Sequence, residues 1–220
     1  MEDHREPAGV DRVRLQILIH MNALNHFIVN VPKTHEDTIK LGDTEIFLES
    51  KFNEFDHRIS HGEIVSVPMR YDTGAKPGDT LIFHHHVTTN KALSLGDSNH
   101  VAMYDEENTN LSQCIAYRCK DTGDLHMLCD WLFVEPIEPP SDDTEESGIV
   151  TKLGAFKEQR DVARIYMTHP DLERQGVSVG DVVGFEKNSD YRIKLDNGDI
   201  VYRMLVANIS YVEVEEVHDD

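Results

Sequence analysis

Cysteine is scarce in this chain of 220 residues: Cys114, Cys119 and Cys129 are an odd three, with no C-x-x-C pair among them. A disulfide framework and a thiolate zinc site are not expected, and core thiols in a reducing cytoplasm are the simpler reading. Positive charge is equally thin. Lys and Arg number 21 against 41 Asp and Glu, a net charge of −20, so nucleic-acid backbones and anionic membrane surfaces would be repelled and neither is expected as a partner. Long apolar runs are missing too. The best candidate, Arg12-Val13-Arg14-Leu15-Gln16-Ile17-Leu18-Ile19-His20, is too short and interrupted for a signal or a span, and alternates like a strand. There is no phosphate-cradling glycine loop, no G-x-S-x-G elbow and no G-x-G-x-x-G, which removes nucleotide hydrolysis, acyl transfer and dinucleotide chemistry. No catalytic residue and no cofactor is assigned, and the chain is not expected to be an enzyme.

What is present is short and β-like. Apolar segments of four to eight residues, rich in β-branched and aromatic side chains, are bounded by Gly, Pro, Asn or Asp, and no stretch of 3.6-residue periodicity is long enough for a major helix. Tyr191-Arg192-Ile193-Lys194 and Ile200-Val201-Tyr202 flank Asn197-Gly198, whose expected positive φ angles would close a tight hairpin.

The chain also repeats itself. Lys76-Pro77-Gly78-Asp79-Thr80-Leu81-Ile82-Phe83 returns as Ser178-Val179-Gly180-Asp181-Val182-Val183-Gly184-Phe185, and each copy is preceded by two strand-like runs: His26-Phe27-Ile28-Val29-Asn30-Val31-Pro32 and Gly62-Glu63-Ile64-Val65-Ser66-Val67-Pro68 in the first, Asp130-Trp131-Leu132-Phe133-Val134-Glu135-Pro136 and Asp161-Val162-Ala163-Arg164-Ile165-Tyr166-Met167 in the second. A spacing of about a hundred residues suits a duplicated small domain and is too long for a solenoid. The expected division is a leader with an arm strand at 1–21, one domain at 22–122 and a second at 123–217, opened by a strand at 125–134. The stretch 91–110 has no counterpart in the second half.

Between its first two strands each copy carries a long polar stretch, 33–60 and 137–160. Connections of that length without structure of their own are uncommon unless functional. Each encloses one apolar island, Glu45-Ile46-Phe47-Leu48-Glu49 and Gly148-Ile149-Val150-Thr151. An apolar tripeptide with no core to enter is a candidate for burial in a partner.

This order of features resembles the GroES-type co-chaperonins, small β-barrel lids of chaperonin chambers. Asp130-Trp131-Leu132-Phe133-Val134 looks like that family's first strand, Gly148-Ile149-Val150 like its chaperonin-binding tip, and Val177-Ser178-Val179-Gly180-Asp181-Val182-Val183-Gly184-Phe185 like its Val-x-Val-Gly-Asp-x-Val-x-Phe strand. Gly62-Glu63-Ile64 and Gly78-Asp79-Thr80-Leu81-Ile82-Phe83 are similar to the same landmarks. The stretches corresponding to the roof hairpin, 69–76 and 168–176, are short, and Phe47 stands where the family has a β-branched residue. The resemblance implies an all-β fold of two tandem GroES-like small β-barrels with long mobile loops. It implies a cytoplasmic homo-oligomeric ring, of which a heptamer is one form, capping a GroEL-type chaperonin through Gly148, Ile149 and Val150, with Ile46, Phe47 and Leu48 as a second anchor, and assisting ATP-dependent folding. A phage-encoded relative is one source of such a doubled form.

Two other readings stand beside it. A virus particle could use the same barrel as a structural part. His84-His85-His86 invites a cupin-like metal site, with His84 and His86 sharing one strand face and His100 as a distant ligand, but Val87-Thr88-Thr89-Asn90-Lys91 lacks the carboxylate such a site uses, and histidines at a barrel rim need no metal.

Overall fold

The computed structural model describes residues 22–31, 38–41, 44–47, 58–89, 93–96, 98–137 and 161–213. Within them the chain is overwhelmingly β. The first unit contributes β1 (Phe27–Asn30), β4 (His61–Ser66), β5 (Thr80–Phe83), β6 (Asn99–Ala102), β7 (Cys114–Arg118) and β8 (Leu125–Met127), the second β9 (Trp131–Pro136), β10 (Val162–Met167), β11 (Val182–Phe185), β12 (Tyr191–Lys194), β13 (Ile200–Leu205) and β14 (Ile209–Glu213). These form two antiparallel six-stranded sheets, ordered β6-β1-β4-β5-β7-β8 and β12-β13-β9-β10-β11-β14. Hydrogen bonding leaves each with two edge strands. The only α-helices among the described residues are single turns, α1 (His86–Thr89) and α2 (Pro170–Glu173), and no helix there is long and apolar enough to cross a membrane.

The duplication read in the sequence holds down to individual hydrogen bonds. Five strands run in the same order in both sheets: β6-β1-β4-β5-β7 matches β13-β9-β10-β11-β14. Both copies carry register shifts at equivalent places. Val29 faces Ile64 and Ile28 faces Ser66, skipping Val65, while Val134 faces Ile165 and Phe133 faces Met167, skipping Tyr166. Ile82 faces Ala116 and Phe83 faces Cys114, as Gly184 faces Tyr211 and Phe185 faces Ile209. Such bulges add twist and bend the strand, so both sheets curve at the same two points.

The Gly-Asp turns coincide as well. Gly78 and Gly180 sit at φ +95° and +98°, the left-handed region that a type II turn requires at its third residue. The Gly78 and Gly180 amides donate to the Ile64 and Ile165 carbonyls at 2.8 and 2.9 Å. The aspartate carboxylates accept from the turn's first amide, Lys76 to Asp79 at 2.7 Å and Ser178 to Asp181 at 2.8 Å. Asp79 is buried at 5% exposure and accepts a second amide, from Lys120 at 2.9 Å. Asp79→Ala strands both donors and Asp181→Ala only one. The first is therefore expected to cost about 2–3 kcal/mol and the second about 1 kcal/mol in urea unfolding; equal losses would contradict the assignment.

The stretch 91–110, which had no counterpart in sequence, supplies β6, and β6 occupies the place of β13 beside the first strand: Phe27 faces Ala102 as Leu132 faces Met204. The segment 125–134 is two strands, not one. Cys129, at φ +51°, breaks it, and its first half, β8, pairs with β7 in the first sheet, Ala116 facing Met127. The β12–β13 connection also differs from the expected tight turn. Only Gly198 has positive φ, at +95°, and residues 195–199 form a wider loop closed by Leu195 and Asp199.

Three cores result. Phe27, Val29, Ile64, Leu81 and Phe83 belong to the first unit's own core, and Leu132, Val134, Ile165, Val183 and Met204 to the second's. The third is shared, joining Ile82, Ile115, Ala116 and Leu125 to Trp131, Phe133, Ile193, Leu195 and Val201. Side chains alternate along a strand, so Leu81 and Phe83 enter one core while Ile82, between them, enters the other. This is why β5 and β9 read as unbroken apolar runs. The strands unmatched between the units, β8 and β12, supply Leu125 and Ile193 to the shared layer. Polar links reinforce it: Arg118 Nε donates to both Asp196 oxygens at 3.0 and 2.9 Å, and Ser60 Oγ to the Lys194 carbonyl at 2.7 Å.

Candidate functional site

The two long insertions leave and rejoin the sheets at equivalent places, one joining β1 to β4 and the other β9 to β10. Within the first, β2 (Thr38–Leu41) and β3 (Thr44–Phe47) pair as an antiparallel hairpin, Ile39 facing Ile46 and Thr38 facing Phe47. This pair is a sheet of its own, joined to neither six-stranded sheet. Ile46 and Phe47 therefore lie on a local hairpin outside the sheets that carry the cores. Leu48, Gly148, Ile149 and Val150 lie outside the described residues.

A second constellation gathers where β5 ends. Phe83 is the last residue of the strand and His86 opens α1, so His84 and His86 do not alternate on one strand face. Instead the three rings pack together, with centroids 4.3 to 4.5 Å apart, and one ligand atom from each lies within 4.8 Å of the others. His100 is elsewhere, on β6 opposite Val29, and is not of this group.

The second unit packs against His84 and His85, while His86 is exposed. Tyr191 of β12 bonds His85 Nδ1 at 2.7 Å and receives a hydrogen bond from Arg58 at 2.9 Å. Arg203 of β13 places its Cζ 4.3 Å from the Trp131 ring centroid and 4.8 Å from that of Tyr191, both within cation–π reach. Beside them opens a cleft of about 400 Å³, lined by His84, His86, Asn110, Ser112, Gln113 and Arg203 among others.

Electrostatics decide what this cluster can do. Burial, then the Arg203 guanidinium and the neighbouring histidines and Arg58, push His84 down to about 3, so its imidazole is neutral throughout the physiological range. Burial also lowers Arg203 to about 10, slightly offset by Tyr191. Three imidazoles gathered this closely could converge on a divalent transition metal. The Arg203 and Arg58 guanidiniums both act on His84, and among the described residues no carboxylate belongs to the histidine group, so the charge balance opposes a dication.

Sequence reasoning singled out the histidines but missed Arg58, Trp131, Tyr191 and Arg203. No local signal marks them, because they come from four separated segments and meet only when the sheets stack. Compared with known proteins, the chain matches no family model, no curated protein and no solved structure.

Proposed function

We propose that this protein is a non-enzymatic docking scaffold of the co-chaperonin kind, a tandem of two GroES-like barrels that assembles as a homo-oligomeric ring and caps a GroEL-type chaperonin. The observation that carries the reading is the equivalent placement of the two insertions: each springs from the junction between the first and second strands of a duplicated sheet, and each holds one apolar tripeptide in polar surroundings. A duplicated frame that keeps its long insertion at the same junction twice is using that junction for something.

The energetics suit a lid. Ordering a free chain segment costs about 1–2 kcal/mol per residue, while burying Ile149 and Val150 returns about 1.5–3 kcal/mol each. One contact is near break-even. Several held in a ring act together and raise overall affinity by about 10²–10⁴, so a modest change in the partner releases them all. Nucleotide chemistry belongs to the partner, and a strongly negative surface would keep a client protein from sticking.

Limited proteolysis tests this. Early cuts are expected between residues 137 and 160, and adding chaperonin with ATP should slow them at least several-fold. Cutting at the same rate with and without chaperonin would overturn the proposal.

A further inference from the structure

Arg203 is a cation with no counter-ion among the described residues. Its Nε is shut off from solvent and meets no hydrogen-bond partner among the described residues, and no ion pair among them includes it. The Trp131 and Tyr191 rings satisfy only the faces of its guanidinium. A planar guanidinium presents its donors at the edge, where stacking gives them nothing, and a part-buried charge left so is costly.

The cleft beside it sets polar side chains among the apolar Met103, Leu111 and Ile115. His84, His86, Asn110, Ser112 and Gln113 line it with Arg203, and no acidic side chain among the described residues does. The His86 amide donates to His84 Nδ1 at 3.3 Å, which leaves the proton of the neutral ring on Nε2, as a donor. Trp131, whose Nε1 is buried and without a partner among the described residues, lines the same cleft. The chain carries a net charge of −20, yet a cation and no carboxylate line this cleft among the described residues.

We propose that this cleft binds an oxyanion, the carboxylate or phosphate group of a small molecule, with Arg203 as its charged partner and His84 as a second donor beside it. The cleft's volume suits a small metabolite. Charge-assisted, forked hydrogen bonds from arginine are the usual means of holding such groups. The bound anion would supply the counter-charge that Arg203 does not find among the described residues. A divalent metal on the three histidines is the competing occupant, and it would add positive charge where two guanidiniums already stand.

Trp131 is the only tryptophan and stacks on Arg203, so its emission reports directly on the cleft. The full chain is titrated with sodium phosphate and with sodium acetate, against sodium chloride at matched ionic strength and against zinc chloride. A saturable change is expected with phosphate or acetate and not with chloride, and whichever anion acts identifies the group. Arg203→Met, which keeps a long apolar stem against Trp131, should weaken it about 10- to 100-fold. His84→Phe, which keeps the ring packing and removes the donor, should weaken it about 3- to 10-fold. Should Arg203→Met fail to fold by circular dichroism, His84→Phe decides alone. Anion responses no different from chloride, a response unchanged in the folded variants, or one confined to zinc would overturn the proposal.

Discussion

Phe133→Ala is expected to lower the free energy of unfolding by about 3–5 kcal/mol, the cost of emptying a fully buried aromatic site. Phe133 is wholly shielded from solvent in the shared core, on β9 between Met167 of β10 and Arg203 of β13. Against a typical total of about 5–15 kcal/mol, that loss removes a large part of the stability. The form of the unfolding curve matters as much as its midpoint. Each sheet buries one face in its own core and the other against its neighbour, so the units are expected to melt together, with Trp131 fluorescence and far-ultraviolet circular dichroism tracing one transition in wild type and variant alike. A loss under about 1 kcal/mol, or two separate transitions of which Phe133→Ala moves only one, would show that the shared layer does not couple the halves.

Much of this architecture was legible in the chain because its causes are local. Gly78-Asp79 and Gly180-Asp181 mark turns that demand a left-handed glycine and an aspartate bonding back to the first amide, and both properties are written in residue type. Leu81-Ile82-Phe83 and Trp131-Leu132-Phe133-Val134 announce strands buried on both faces. β6 was not legible. Asn99-His100-Val101-Ala102 is polar over half its length, and only its pairing with β1 makes it a strand. Nor was the break at Cys129, since nothing in a cysteine announces a positive φ. The Arg203 cleft lay furthest from sequence reading, because its parts come from the turn after β5, the loop before β7, β9 and β13 and acquire meaning only from packing. The histidine triplet was visible, but as ligands on a strand face. That face disappears because β5 stops at Phe83 and α1 starts at His86.

The second large effect belongs to the insertions. Ile149→Ser combined with Val150→Ser is expected to abolish capture by a chaperonin ring while leaving thermal stability within about 0.5 kcal/mol of wild type, the range of substitutions away from a core. In the proposed ring avidity would amplify the change: a loss of about 1.5–3 kcal/mol per buried side chain would recur in every subunit, so small per-site losses would become complete release. Ile46→Ser with Phe47→Ser is expected to act in the same direction but less strongly, because those residues are already paired in the β2–β3 hairpin and docking would have to accommodate or open it. If the Ile149 and Val150 variant caps as well as wild type, the tripeptide is not the anchor.

Electron microscopy of the full chain mixed with a GroEL-type chaperonin and ATP tests the central claim most directly. Rings are expected over the chamber mouth in the presence of nucleotide, lost without it and lost with the Ile149→Ser, Val150→Ser variant. Chaperonin rings left bare at saturating concentrations of the wild-type protein would contradict it.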